Sequence, residues 1–181
     1  MSVSRWGTGL GATAVLVATG AWVMWPTGVD EHLWGQVRPV IEARLVADSK
    51  GSGYGKTQPA LRAHWFCRAR ARDLDEHDGV VRAGVTTLCV EYGVRAGTLR
   101  ECGGAAVPQV VRLRRATDAD GGFHVVSREE PPDGEGNERW VEDHFGFLTE
   151  PGPADSVPST DLETAARAHF GLPADAPVGD C

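Results

Sequence analysis

At Leu61 the spacing of apolar residues changes from a helical to a strand period, which limits the chain to folds that mix the two. Upstream, Leu33, Trp34, Val37, Val40, Ile41, Leu45 and Val46 recur near one face of a helix. Asp30 and Glu31 precede them, as acids do where a helix start leaves partial positive charge. The spacing predicts a helix from Asp30 to about Asp48–Gly51, with Pro39 kinking it or marking its first turn. Downstream, Ala63, Trp65, Cys67, Ala69 and Ala71 alternate with Arg62, His64, Phe66, Arg68, Arg70 and Arg72. That is a strand with one small or apolar face and one basic face.

The same punctuation predicts three more strands. Residues 73–79 form a turn cluster, and Val80–Val94 is rich in Val and Thr. Arg95–Ala106, with three glycines, reads as a loop. Val107–Arg115 is the third strand, with Pro108 near its start, where a missing N–H is tolerated. Asp118–Gly122 is a hairpin turn before a fourth strand, Phe123–Glu129. Asn137 caps a short helix carrying Trp140, Val141, His144, Phe145 and Leu148. A Pro-rich linker, Glu150–Pro158, follows. Thr160-x-x-Glu163 is a capping box for a last helix that ends at Gly171. A helix followed by a strand meander must bury one sheet face on that helix. The fold class is therefore α+β: a helix on a curved four-stranded antiparallel sheet, with short C-terminal helices.

Residues 1–28 stand apart. Gly7–Trp25 runs nineteen residues without a charge, after a short basic start and between Trp6 and Trp22/Trp25. Such a run nearly crosses a hydrocarbon layer about 30 Å thick. Arg5 before it, and Asp30 and Glu31 after it, put the N-terminus in the cytoplasm and the remainder outside. This is a signal-anchor, or a signal peptide cleaved near Ala18-Thr19-Gly20. The organisation is thus 1–28 anchor or signal peptide, 29–148 α+β domain, and 149–181 linker, helix and tail. The expected localisation is the cell membrane with the domain extracytoplasmic, or secretion after cleavage.

Export gives the four cysteines, Cys67, Cys89, Cys102 and Cys181, a structural reading. An even number outside the cytosol suggests two disulfides, with three possible pairings. Cys67–Cys89 with Cys102–Cys181 is the preferred one. With the hairpin centred on 73–79, Cys67 opposes 85–87, so a bulge is needed to reach Cys89.

The chain's net charge of −7 is unevenly spread. Residues 60–115 carry ten Arg against six acids, and 116–181 carry three Arg against fifteen acids. Arg68, Arg70 and Arg72 share a strand face, and Arg82, Arg112, Arg114 and Arg128 can extend it. Converging guanidinium groups suit phosphate or carboxylate, here a lipid surface or a cell-wall polymer. The plainer reading is a solvated sheet face balanced by the acidic C-terminal half. An acidic domain argues against nucleic acid as a partner.

Other motifs lead nowhere chemical. The stretch 51–57, Gly-Ser-Gly-Tyr-Gly-Lys-Thr, resembles the end of a phosphate-binding loop. The pattern requires Gly at position 50, which is Lys50, and a buried strand before it rather than a helix. It reads as a flexible solvated connector, with no nucleotide and no cofactor. His64-x-x-Cys67 lacks a second pair of ligands, so no metal is expected. His64, His124, His144 and Tyr92 with Asp73 or Glu91 could pair as acid and base. His64 and His124 are expected to face outward and His144 to be a packing residue, so no catalytic residue is assigned.

The element order resembles the NTF2-like or cystatin-like roll, in which a curved antiparallel sheet wraps a long helix. With a single N-terminal span it is similar to small actinobacterial envelope proteins, including Mce-associated membrane proteins. Trp65-Phe66-Cys67-Arg68-Ala69 and Cys89-Val90-Glu91-Tyr92 look like phrases of streptomycete secreted proteins. The resemblance implies an anchored interaction or accessory domain that partners the membrane and another envelope protein or an anionic surface. Alternatively, it implies a small secreted enzyme acting on a hydrophobic ligand. An enzyme would need a deep pocket at the open end of the roll. Filling by Trp34, Trp65, Val85 and Phe123 would close that space.

Overall fold

A computed structural model describes residues 29–117, 121–146 and 157–181. The anchor or signal peptide expected over 1–28 lies outside the described residues, as do Leu148 and most of the 150–158 linker. Among the described residues, no helix is long and apolar enough to cross a membrane.

Helix α1 spans Glu31–Ser49, capped by Asp30, whose carboxylate accepts the Leu33 N–H at 2.9 Å. Pro39 lies inside this helix. Trp34, Val37, Ile41 and Leu45, spaced three or four apart, are buried on one face. After a short helix α2 (Tyr54–Thr57) and a 3₁₀ turn (Pro59–Leu61), four strands run antiparallel in sequence order. They are β1 (His64–His77), β2 (Val80–Arg95), β3 (Thr98–Arg115) and β4 (Phe123–Glu129). Helices α3 (Gly136–Phe145) and α4 (Ser159–Phe170) follow. A short fifth strand, β5 (Val178–Asp180), pairs parallel with β3. The class is α+β, with a mostly antiparallel sheet that does not close on itself.

Several expectations need correction. The residues at 61–63 are not strand, and β1 instead continues through the expected 73–79 turn to His77. The turn is only Asp78-Gly79, both at positive φ, as a two-residue hairpin turn with the sheet's twist requires. Arg95–Ala106 is no loop. Ala96-Gly97 makes a second such turn, and β3 then runs eighteen residues. Pro108 therefore sits inside β3 rather than near its start. The sheet has five strands rather than four, because the tail contributes β5. Asn137 lies inside α3, whose N-cap position is Glu135. Helix α4 starts at Ser159, so Thr160 is no cap and the capping box does not form.

Both sheet faces are covered. Alternate residues Cys67, Ala69, Val81, Ala83, Val85, Val111 and Leu113 pack under α1, with Phe123 and Val125 at the margin. The opposite face carries Val90, Tyr92 and Leu99, with Phe66 and Leu88, against Leu162 and Ala166 of α4. Each fully buried aliphatic side chain contributes roughly 1.5–3 kcal/mol.

Cys67 and Cys89 are direct register partners and bonded, and Cys102 is bonded to Cys181. The preferred pairing holds, but the offset expected for it does not: with the turn at 78–79, Cys67 is not set opposite 85–87, and the bulge acts in the other direction. The β1–β2 register shifts by one between Ala71 and Asp73, leaving Arg72 as the extra residue. Counted back from the Asp78-Gly79 turn without it, Cys67 would face Val90.

Candidate functional site

The interior under α1 is filled only at one end. Trp34 and Val85 are buried there. Trp65 is not part of that filling. It lines a cavity of about 440 Å³ where the C-terminal turn of α1, residues 53–54, the start of β1 and the middle of β2 and β3 meet. Leu45, Trp65, Val107 and Cys89 give the cavity an apolar lining. Asp48 and Arg128 lie at its border 3.7 Å apart, and Arg128 also meets Glu130 at 3.3 Å.

Two buried polar arrangements adjoin it, Thr87 with Gln109 and Glu91 with its two amide donors. Thr87 is buried and donates its hydroxyl to the Val107 carbonyl at 2.9 Å. That bond leaves the Thr87 oxygen to accept from Gln109 Nε2 at 3.0 Å. The orientation of the Gln109 amide is thereby fixed, and its Oε1 is a buried acceptor with no partner among the described residues. Gln109 is 3 % exposed.

Glu91 is the other. Its carboxylate accepts the backbone N–H of Tyr54 at 2.7 Å and of Gly55 at 2.8 Å. A side chain at Gly53 would collide with it. The 51–57 stretch is therefore not a free connector: its backbone amides enclose an anion, and the anion is the protein's own. Glu91 is 2 % exposed.

The remaining candidates are dispersed. His64 does not face outward. Its ring stacks on His169 at 4.7 Å and meets Phe66 edge-on. Burial, then the His169 and Lys50 charges, lower its pKa from the ordinary imidazole value. Tyr92 is buried against α4, and burial, with Glu101 and Glu163 nearby, raises its pKa far above the ordinary phenol value. His124 is exposed, and His144 stacks on Trp140 at 4.1 Å, both as expected.

The arginines do not form one open stripe. Arg82 and Arg112 are register partners, but Arg82 pairs with Asp73 and donates to the His144 carbonyl, while Arg112 pairs with Glu129. Arg68 reaches Glu42 on α1 at 3.5 Å, and Arg72 lies over the Phe145 ring. Arg70 and Arg114 are exposed. Among the described residues no cluster of three or more His, Cys, Asp or Glu could hold a metal.

Sequence reasoning missed the cavity, the Glu91 cradle and Gln109. The glycines at 53 and 55 carried a signal of close backbone approach; nothing in the sequence ties them to Glu91. No family model, curated protein or solved structure matches this chain.

Proposed function

We propose that the chain is a non-catalytic interaction or accessory domain of NTF2-like or cystatin-like type that works outside the cytosol. Residues 1–28 tether it to the membrane or direct its secretion, and its partner is another envelope protein. The carrying observation is that all four cysteines are bonded, in pairs that join β1 to β2 and fasten the tail to β3. Such bonds persist in oxidising compartments and are rare in the cytosol. The one buried carboxylate beside the cavity is already engaged by two backbone amides, which favours binding over acid–base chemistry there. An anionic surface has weaker support as the partner, since Arg68, Arg82 and Arg112 each face a carboxylate.

The second reading is a small secreted enzyme acting on a hydrophobic ligand, and the cavity of about 440 Å³ with its apolar lining favours it. Fractionation with protease accessibility, joined to intact mass after non-reducing alkylation, tests the leading reading. Protease-accessible chain with no labelled thiol is expected. A cytoplasmic pool with four labelled thiols would overturn it.

A further inference from the structure

Strand β3 changes neighbours along its length. On the side away from β2 it pairs with β5 over Leu99–Glu101 and with β4 over Val110–Arg115. Between them, residues 102–109 have no strand partner on that side among the described residues. β4 ends at Glu129, and Pro131 and Pro132, which have no N–H to give a ladder, follow one residue later. Among the described residues the gap is a row of backbone groups without a ladder partner, of the kind that pairs with an added strand. Its residues carry no charge, and Gly103–Ala106 are exposed. Pro108 is tolerated because β3 is an edge at that point.

A second, independent observation points the same way. Gly103, Ala105, Val107 and Gln109 of this edge line the cavity. A side chain on an added strand opposite Ala105 or Val107 would stand about 5 Å from theirs. It would enter a space lined mainly by apolar groups, Leu45, Trp65, Cys89 and Val107 among them.

We propose that residues 102–107 form a strand-addition site for an extended segment of another polypeptide. One large apolar or aromatic side chain of that segment fills the cavity. The proposal rests on the interaction-domain reading and names the partner's chemistry. A second copy of the chain does not fit by its own β3. That strand is eighteen residues long, and its ends would run into β4 and β5, which bound the gap. At about 3.4 Å per residue, an inserted strand has under about 30 Å of room. A short, single segment is what the gap accepts.

The test is selection of a random heptapeptide display library on the full chain with both disulfides intact, then hydrogen exchange with the enriched peptides. Enriched peptides should share one large apolar or aromatic residue in proline-free sequences and slow exchange within 103–107 at least tenfold. N-methylation at alternate peptide amides should abolish binding. The idea falls if nothing is enriched, if exchange at 103–107 is unmoved, or if N-methylated peptides bind equally well. It also falls if 103–107 are already protected in the free chain, since a segment of the chain itself would then fill the gap. Thiol state and location are read separately, so a cytoplasmic chain would sink the extracytoplasmic reading without deciding this one.

Discussion

The carboxylate of Glu91 gives the 51–57 turn what a phosphate gives a P-loop, an anion for backbone N–H groups that point at one spot. Glu91→Ala leaves those amides without their acceptor and is expected to cost about 2–3 kcal/mol. Glu91→Gln, which keeps one acceptor, should cost about half as much. Urea denaturation measures both, and a loss under about 0.5 kcal/mol for the alanine variant would show the cradle to be incidental. Tyr92 is the opposite case. Its hydroxyl is buried with no partner among the described residues, so Tyr92→Phe should be neutral or stabilising by up to about 1 kcal/mol. A clear destabilisation in the same assay would mean the hydroxyl is bonded. His64 supplies a pH dependence. Its folded pKa is lowered, chiefly by burial, so the unfolded chain takes up the proton first as pH falls below about 6.5. Its contribution to stability is therefore present above that pH and is lost between the ordinary value and the lowered one. An NMR titration should place its midpoint below the ordinary imidazole value, and His169→Gln should move it partway back. A midpoint at or above the ordinary value would refute this.

At the level of elements, β5 is three residues long and is held by its ladder to Leu99–Glu101 and by Cys102–Cys181. Replacing both Cys102 and Cys181 by Ser should raise hydrogen exchange at 99–101 and 178–180 first, with β1 and β2 little changed. Uniform loosening of the whole sheet would contradict that. Much of this layout was legible in the sequence, and for a physical reason. The buried face of α1 and the alternation of β1 are local patterns, and Trp34, Val37, Ile41 and Leu45 were readable as one stripe. Strand ends were less legible. Asp73–His77 carries three acids, a composition that local propensity assigns to a turn, yet these residues pair with Val80–Gly84 because the Asp78-Gly79 turn dictates it. Residues 98–106 looked like a loop because their glycines have no side chain to show a period. The cavity was not legible at all, because it depends on where β4 stops relative to α1, which no local pattern records.

Across the described residues the sheet lies between α1 on one face and α4 on the other, so the C-terminal helix packs on the same sheet through a second buried cluster. A chain lacking residues 157–181, with Cys102→Ser to avoid a stray thiol, exposes Val90, Tyr92 and Leu99 and loses the second bridge. The expected loss is about 5 kcal/mol, or roughly 10–20 °C in Tm. Calorimetry would check it, and a shift under about 2 °C would mean α4 is a passive cover. The register shift at Arg72 has its own consequence at this scale. Only the hairpin that carries that one extra residue brings Cys67 opposite Cys89; a hairpin slipped by one presents Val90 instead. Bond formation thus proofreads the alignment of the first two strands, sealing the correct pairing and leaving a misaligned one open to correction by thiol exchange.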